Sequence, residues 1–253
     1  MSGHSKWAQI KRKKALVDAK KGAIFSKIAK EITVAARLGG PDPAGNFRLR
    51  FAIDKAKANL VPQNNIQRAI EKGAGINHED YKIEEIFYEG YGPNGIAILI
   101  QCATDNKNRT VADLRSCFTK HSGKLADAGT VSWMFTKHGE IKVPKDTVNN
   151  HDEAFEFAIE IGAKDIDLLD KECISIITSP EELEKVQKNI LAKNIKIKEV
   201  QVSYTPKEYI EVTDTETAKN ILKLVEEIEG HDDVQNVYSN FDIKLDIASM
   251  PKD

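Results

Sequence analysis

The chain reads as an α+β protein: an N-terminal three-helix bundle followed by two ferredoxin-like α/β domains, the second inserted in the first. Three observations predict this. Apolar residues recur at helical spacing through residues 18–73. Beyond Gly75 the period shortens to that of strands. The sign of the charge changes at the same place: residues 1–75 hold 16 Lys and Arg against 5 Asp and Glu, the remainder 21 against 34. Segregation on this scale points to a polyanion-facing module joined to one that is not. At 253 residues the chain has room for two or three domains of about 150 residues or fewer.

The first helix is expected over 18–38. Ile24, Phe25, Ile28, Ile32, Ala35 and Ala36 share one arc, with Lys20, Lys27, Lys30 and Arg37 on the other. Gly39-Gly40 allows a C-terminal cap and Pro41 prevents continuation. Asp42-Pro43 predicts the start of a second helix, capped by the carboxylate. Phe47, Phe51 and Ala58 lie on one side of it, and Leu49, Ile53, Ala56 and Leu60 on nearly the opposite side. Two apolar faces make it the expected central helix of the bundle. Its edges carry Arg48 with Lys55, and Arg50 with Lys57, and Pro62 breaks it. A third helix, with Ile66, Ala69 and Ile70 inward and Arg68 outward, ends at Gly73. Ahead of the bundle, Lys6-Trp7 and Lys11-Arg12-Lys13-Lys14 form a basic arm.

Strands are expected near 83–89 and 95–104 across the turn Gly92-Pro93-Asn94-Gly95, then a helix over 109–121 and a strand near 130–136. Strands at 140–143, 166–169, 173–178 and 196–204, with helices at 152–161 and 179–193, complete a split βαβ unit. A strand at 208–212, a helix at 215–229 and a strand at 234–240 follow. The expected domains are 1–78, 79–137 with 206–253, and the inserted 138–205. The insertion falls between two strands that would otherwise form a hairpin. The rival topology is a single large mixed sheet.

Several function classes are excluded or unsupported. The longest apolar run, Ile96 to Ile100, is far below the roughly 20 residues of a membrane span. The opening residues carry no secretory signal. Cys102, Cys117 and Cys173 are too scattered for a disulfide framework or a zinc site, which fits a reducing, cytoplasmic setting. No membrane partner is expected. The six histidines show neither HxxxH nor HExxH spacing, and the glycines match no nucleotide-binding loop. His231-Asp232-Asp233 reads as a solvated turn rather than a cation site, and Cys117 as a small core residue beside Phe118. The segment Thr104 to Thr110 is a polar strand-to-helix loop where acid, amide and base converge, with Asn108 as its capping residue. No catalytic residue, metal site or cofactor site emerges.

Gly3-His4-Ser5-Lys6-Trp7, Phe25-Ser26-Lys27, Lys30-Glu31-Ile32 and Gly39-Gly40-Pro41-Asp42-Pro43 are specific in combination. So are Asn46 with Leu49-Arg50, Ala56-Lys57, Arg68-Ala69-Ile70-Glu71-Lys72-Gly73, Glu89-Gly90-Tyr91-Gly92-Pro93 and Thr104-Asp105-Asn106. Together they resemble the YebC/PmpR family of probable transcriptional regulatory proteins, which includes a mitochondrial translational activator of cytochrome oxidase. The resemblance implies a helical domain followed by two α/β domains, no catalytic activity and no cofactor. It implies a DNA-binding transcriptional regulator. The alternative it carries is a ribosome-associated translation factor that relieves stalling at proline-rich stretches. A protein-interaction adaptor is the third class.

The expected partner is nucleic acid, DNA or ribosomal RNA, with the ribosome itself the larger alternative. The expected phosphate contacts are the arm (Lys6, Lys11, Arg12, Lys13, Lys14) and the ridges (Lys20, Lys27, Lys30, Arg37, Arg48, Arg50, Lys55, Lys57, Arg68). Trp7 has two readings, a base stack and an anchor for the arm. Phe87, Tyr88 and Tyr91 lie near the first outer strand, where RNA-binding sheets display aromatics, but the reading preferred for some of them is a core role.

Overall fold

A computed structural model describes residues 20–76, 83–148, 150–168, 170 and 172–245. Three helices come first: α1 (Lys20–Gly39), α2 (Phe47–Ala58) and α3 (Gln63–Gly73). They enclose a core of Ile28, Ile32, Ala35, Ala36, Leu49, Ala52, Ile53, Ala56, Val61, Ile66 and Ala69. The central helix is α1, which packs on both α2 and α3, rather than the expected α2. Only one face of α2 is buried. On its other side Phe47 and Phe51 are half-buried and meet edge to face at 4.4 Å. A Cβ on Gly73 would stand 2.4 Å from the Thr33 carbonyl oxygen, so this close approach of α3 to α1 requires glycine.

The start of α2 also differs from expectation. Asp42 does not cap it; its carboxylate accepts from the Ala44 N–H in a tight turn, and Asn46 caps the helix by accepting from Leu49 N–H at 3.0 Å. The Asn46 amide donates in turn to the carbonyls of Ala35 and Gly40, both at 2.7 Å, which ties the end of α1 to the start of α2.

The chain then divides into two compact units, broken at Met134 and resumed at Glu208. The larger unit contains the helical bundle together with the outer sheet. Strands β1 (Glu84–Tyr91), β2 (Ala97–Thr104), β3 (Lys124–Ala126) and, late in the chain, β9 (Val234–Ser239) make that sheet. Its order is β3-β1-β2-β9, antiparallel throughout. Helix α4 (Lys107–Lys120) is capped by Asn106, not by Asn108, and packs beside α7 (Thr215–Gly230). Leu114 and Phe118 of α4 and Ile221, Leu224 and Ile228 of α7 are buried. The connections are distinctive: the β1–β2 hairpin holds the two central positions, and each helix leads to an edge strand.

The strand expected at 130–136 forms only at its end, where Phe135 and Thr136 open the strand Phe135–Pro144. Ahead of them the N–H groups of Gly129, Val131 and Ser132 are drawn to the Glu89 carboxylate instead of to a ladder. Residues Ser132–Met134 form a 3₁₀ turn instead. The segments flanking the insertion do not pair with each other either: β3 joins β1, and β8 (Ile210–Val212) joins β10 (Phe241–Ile243) in a small parallel pair.

The smaller unit spans Phe135–Lys207. Its elements are β4 (Phe135–Pro144), α5 (His151–Ile161), β5 (Asp165–Asp167), β6 (Cys173–Thr178), α6 (Leu183–Ala192) and β7 (Glu199–Pro206). The sheet order is β5-β6-β4-β7, every pair antiparallel. That is the split βαβ order expected for this segment. Among the described residues no helix is long and apolar enough to cross a membrane.

Candidate nucleic-acid interface

Helix α1 sets Lys27, Lys30 and Arg37 of its basic arc against the outer sheet, Arg37 from an exposed position. Lys27 Nζ donates to the Glu229 carbonyl at 2.6 Å, and Lys30 Nζ to the Asp232 carbonyl at 3.0 Å and to Asp233 Oδ1 at 2.5 Å. Both acceptor sites lie at the C-terminal end of α7, where carbonyls lack helical partners and the dipole favours cations. Arg37 donates to the Ile83 carbonyl at 3.1 Å, beside an apolar contact of Val34 with Ile83 and Ala103.

Arg48 of α2 makes a forked ion pair with Glu85 of β1. Arg50 donates to the Pro43 carbonyl at 3.2 Å, with its guanidinium 5.6 Å from the Phe47 ring centre. Lys55 meets Glu31 at 2.8 Å, whereas Lys57 stands 4.0 Å from Asp54 and is exposed. Arg68 is exposed and has no ion pair or hydrogen bond among the described residues. Lys20 belongs to α1, but its side chain lies outside the described part, as do the arm residues Lys6, Trp7, Lys11, Arg12, Lys13 and Lys14.

Apart from Arg50, which turns back onto its own bundle at the Pro43 carbonyl, the described ridge residues fall into two groups. Lys27, Lys30 and Arg37 bind the bundle to the sheet. Arg48, Lys55, Lys57 and Arg68 remain at the surface, the first two in ion pairs open to water. Such pairs contribute little, roughly 0–1 kcal/mol, and can exchange a carboxylate for another anion.

The two polar segments noted in the sequence, 104–110 and 231–233, meet at Asp233. Its carboxylate is buried. Oδ1 takes Lys30; Oδ2 lies 2.9 Å from Arg109, 2.8 Å from the Thr110 hydroxyl and 3.2 Å from the Thr104 hydroxyl. Burial alone would raise its pKa, but the donors from Lys30, Arg109 and Thr110 outweigh it and hold the group well below the usual carboxylate range. Both its oxygens are engaged by side chains of other segments, so the site is a structural node. Beside it, Glu84, Thr104, Asp105, Asn106, Lys107 and Asn108 line an open recess of about 330 Å³.

A second buried carboxylate, Glu89, accepts from the N–H groups of Gly129 (2.8 Å), Val131 (2.5 Å) and Ser132 (2.9 Å). Burial pushes its pKa up, and these backbone donors bring it below the ordinary value. Because side chains alternate along a strand, Glu85, Phe87, Glu89 and Tyr91 share one face of β1. The bundle covers one end of that face through Glu85, and the 129–132 loop covers the other through Glu89. Of the three aromatics noted in the sequence, Tyr88 lies on the opposite face with a buried, unpartnered hydroxyl; Phe87 and Tyr91 are half-buried on this one.

Cys102 and Cys117 are buried; burial and the nearby Asp233 push the Cys102 thiol up to about 12, and burial beside Glu227 raises Cys117. His121 pairs with Glu227 and His231 with Asp113, at 2.7 and 2.9 Å. Among the described residues no group of three His, Cys, Asp or Glu could hold a metal ion.

Sequence reasoning missed Glu85, Glu89 and Asp233 as the groups that assemble the unit, and it missed Trp133, a large apolar side chain left exposed on the outer unit. One signal was available: Glu89 stands between Phe87 and Tyr91 on one face of β1.

Fold and site define a class: a basic helical bundle docked by ion pairs onto an α/β body that carries a second, inserted α/β unit. Residues 5–76 match the model for the TACO1/YebC protein N-terminal domain, and residues 83–241 that for the TACO1/YebC second and third domain. The chain therefore belongs to the TACO1/YebC family. A relative from Desulfotalea psychrophila named "probable transcriptional regulatory protein" is 53% identical, over 99% of both chains. One of the same description from Methylacidiphilum infernorum is 50% identical, again over 99% of both. The crystal structure of a conserved hypothetical protein from Aquifex aeolicus superposes with a TM-score of 0.88 at 46% identity, covering 96% of this chain and 99% of that one.

Proposed function

We propose that this chain is a non-enzymatic regulator of gene expression that grips nucleic acid with its basic N-terminal third, acting as a DNA-binding transcriptional regulator. One observation carries this reading. Residues 20–76 hold eleven Lys and Arg against four Asp and Glu, and the pairing of Lys30 with Asp233 and Arg48 with Glu85 still leaves a surplus of positive charge. The arm adds five more cations. The relatives' names agree with it. Phosphate contacts come from the surface group (Arg48, Lys55, Lys57, Arg68) and the arm, while Lys27, Lys30 and Arg37 set the orientation of the bundle.

The test is a salt titration of the intact chain on duplex DNA. With six or more phosphate contacts, affinity falls roughly a thousandfold between 50 and 200 mM salt. A nearly flat dependence overturns the reading. Ribosomal RNA as the polyanion is favoured by one feature, the exposed Trp133 on the outer unit. Co-sedimentation with ribosomes that survives moderate salt would move the activity to translation.

A further inference from the structure

Trp133 is 63% exposed although it is among the largest apolar side chains in the molecule. It is not loose. Its indole N–H donates to the Thr130 carbonyl at 2.9 Å, and the Tyr91 hydroxyl reaches the same carbonyl at 3.4 Å. The backbone that bears it is clamped by Glu89 through three N–H groups and turns at Gly129 with φ +87°. A carboxylate buried to 4% exposure, with a desolvation cost of its own, thus holds a single indole in place.

The indole's polar edge is already satisfied, so what it offers is a bare π face. Directly across the ladder from Tyr91 stands Lys124. It is exposed and has no carboxylate partner among the described residues. A fixed aromatic face, a neighbouring phenol and an unengaged cation are the elements by which proteins hold single strands, stacking a base and neutralising the adjoining phosphate. A docking site for an apolar protein pocket would not need the cation.

We propose that Trp133 is a stacking platform for an unpaired nucleobase, with Lys124 receiving the neighbouring phosphate. The proposal rests on the nucleic-acid reading above and deepens it: the partner includes a single-stranded stretch, of RNA or of opened DNA. Glu89 and Tyr91 are positioning residues that keep the indole where a base can reach it.

The experiment uses the full chain and three 15-nucleotide probes of one mixed sequence: single-stranded RNA, single-stranded DNA and duplex DNA. Affinities are read by anisotropy for the native chain, Trp133→Ala, Trp133→Phe and Lys124→Gln. Trp133→Ala is expected to weaken strand binding about fivefold to a hundredfold and to leave duplex binding unchanged, while Trp133→Phe retains most of it. Lys124→Gln lowers the salt slope by about one. In a Trp7→Phe background Trp133 is the sole tryptophan, and its emission is quenched by either strand; the RNA and DNA arms identify the source of the base. An unchanged affinity in Trp133→Ala, an unquenched indole, or an equal loss on duplex overturns the platform. If the native chain binds duplex but neither strand, the platform falls and the regulator reading stands. If it binds none of the three, both fall.

Discussion

The outer and inserted sheets are built from the same parts, four antiparallel strands and two helices, yet they use charge differently. In the inserted sheet Lys142 of β4 lies 2.7 Å from Glu199, its partner directly across the ladder, and 3.9 Å from Glu140 on its own strand. Burial would lower the pKa of Lys142; the two carboxylates reverse that and raise it. All three groups belong to adjacent strands. In the outer sheet the buried charges are carboxylates, and each recruits donors from a distant segment: Asp233 takes Lys30 from about 200 residues away in sequence, and Glu89 takes the 129–132 loop. A buried carboxylate without its donors is strongly unfavourable. The outer sheet is therefore an assembly point whose charges are satisfied only when bundle and loop are both in place, whereas the inserted sheet satisfies its own.

The largest expected effect that would break this contrast is at Asp233. Replacing it with alanine removes the buried anion that Lys30 and Arg109 both face and one acceptor of two buried hydroxyls, and should cost about 3–5 kcal/mol in denaturant unfolding. A loss below about 1 kcal/mol would remove the distinction between the two sheets. The same variant carries a pH signature. The folded pKa of Asp233 lies below its unfolded value of about 3.9. Its contribution is thus present above about pH 4 and disappears as pH falls through the folded value. The deficit of Asp233→Ala should be full at neutral pH and shrink on acidification; a deficit that grows in acid contradicts the assignment.

Glu89→Gln is the intermediate case. The amide keeps one oxygen for the loop but turns an NH₂ toward a backbone N–H, costing about 1–3 kcal/mol. Because the loop carries Trp133, indole emission should shift before the far-UV signal does. Simultaneous loss of both would mean that Glu89 supports the whole sheet rather than the loop. The smallest effect is expected at Arg48→Met. Its ion pair with Glu85 is open to water, with 42% and 21% of the two side chains exposed, so stability should change by no more than about 1 kcal/mol. A larger loss would place Arg48 beside Asp233 as a structural group and take it out of the phosphate-facing set.

Much of the fold was legible in the chain because it is written in local signals. Helices α1 and α3, the turn through Gly92–Gly95 and the split βαβ order of the inserted unit follow from apolar period and turn residues alone. The errors fall where two local signals compete or where a short edge strand has no pattern. Asp42 and Asn46 are both good caps, and Asn46 prevails because its amide also reaches two carbonyls of the preceding segment. Strands β3 and β10, which were not expected, are three residues each, too short to show alternation. The candidate site was legible in part. The basic surplus was visible, but a helical wheel places Lys27 and Lys30 on an arc without saying what lies opposite that arc.

By itself the sequence determined most of the elements, their order and the charge of each region, because period, caps and composition act over neighbouring residues. Only the tertiary structure decided which cations are engaged internally and which face outward. Ion pairs and hydrogen bonds act over a few ångströms of space, and the residues that meet at Asp233 and Glu89 are separated by up to about 200 positions of chain.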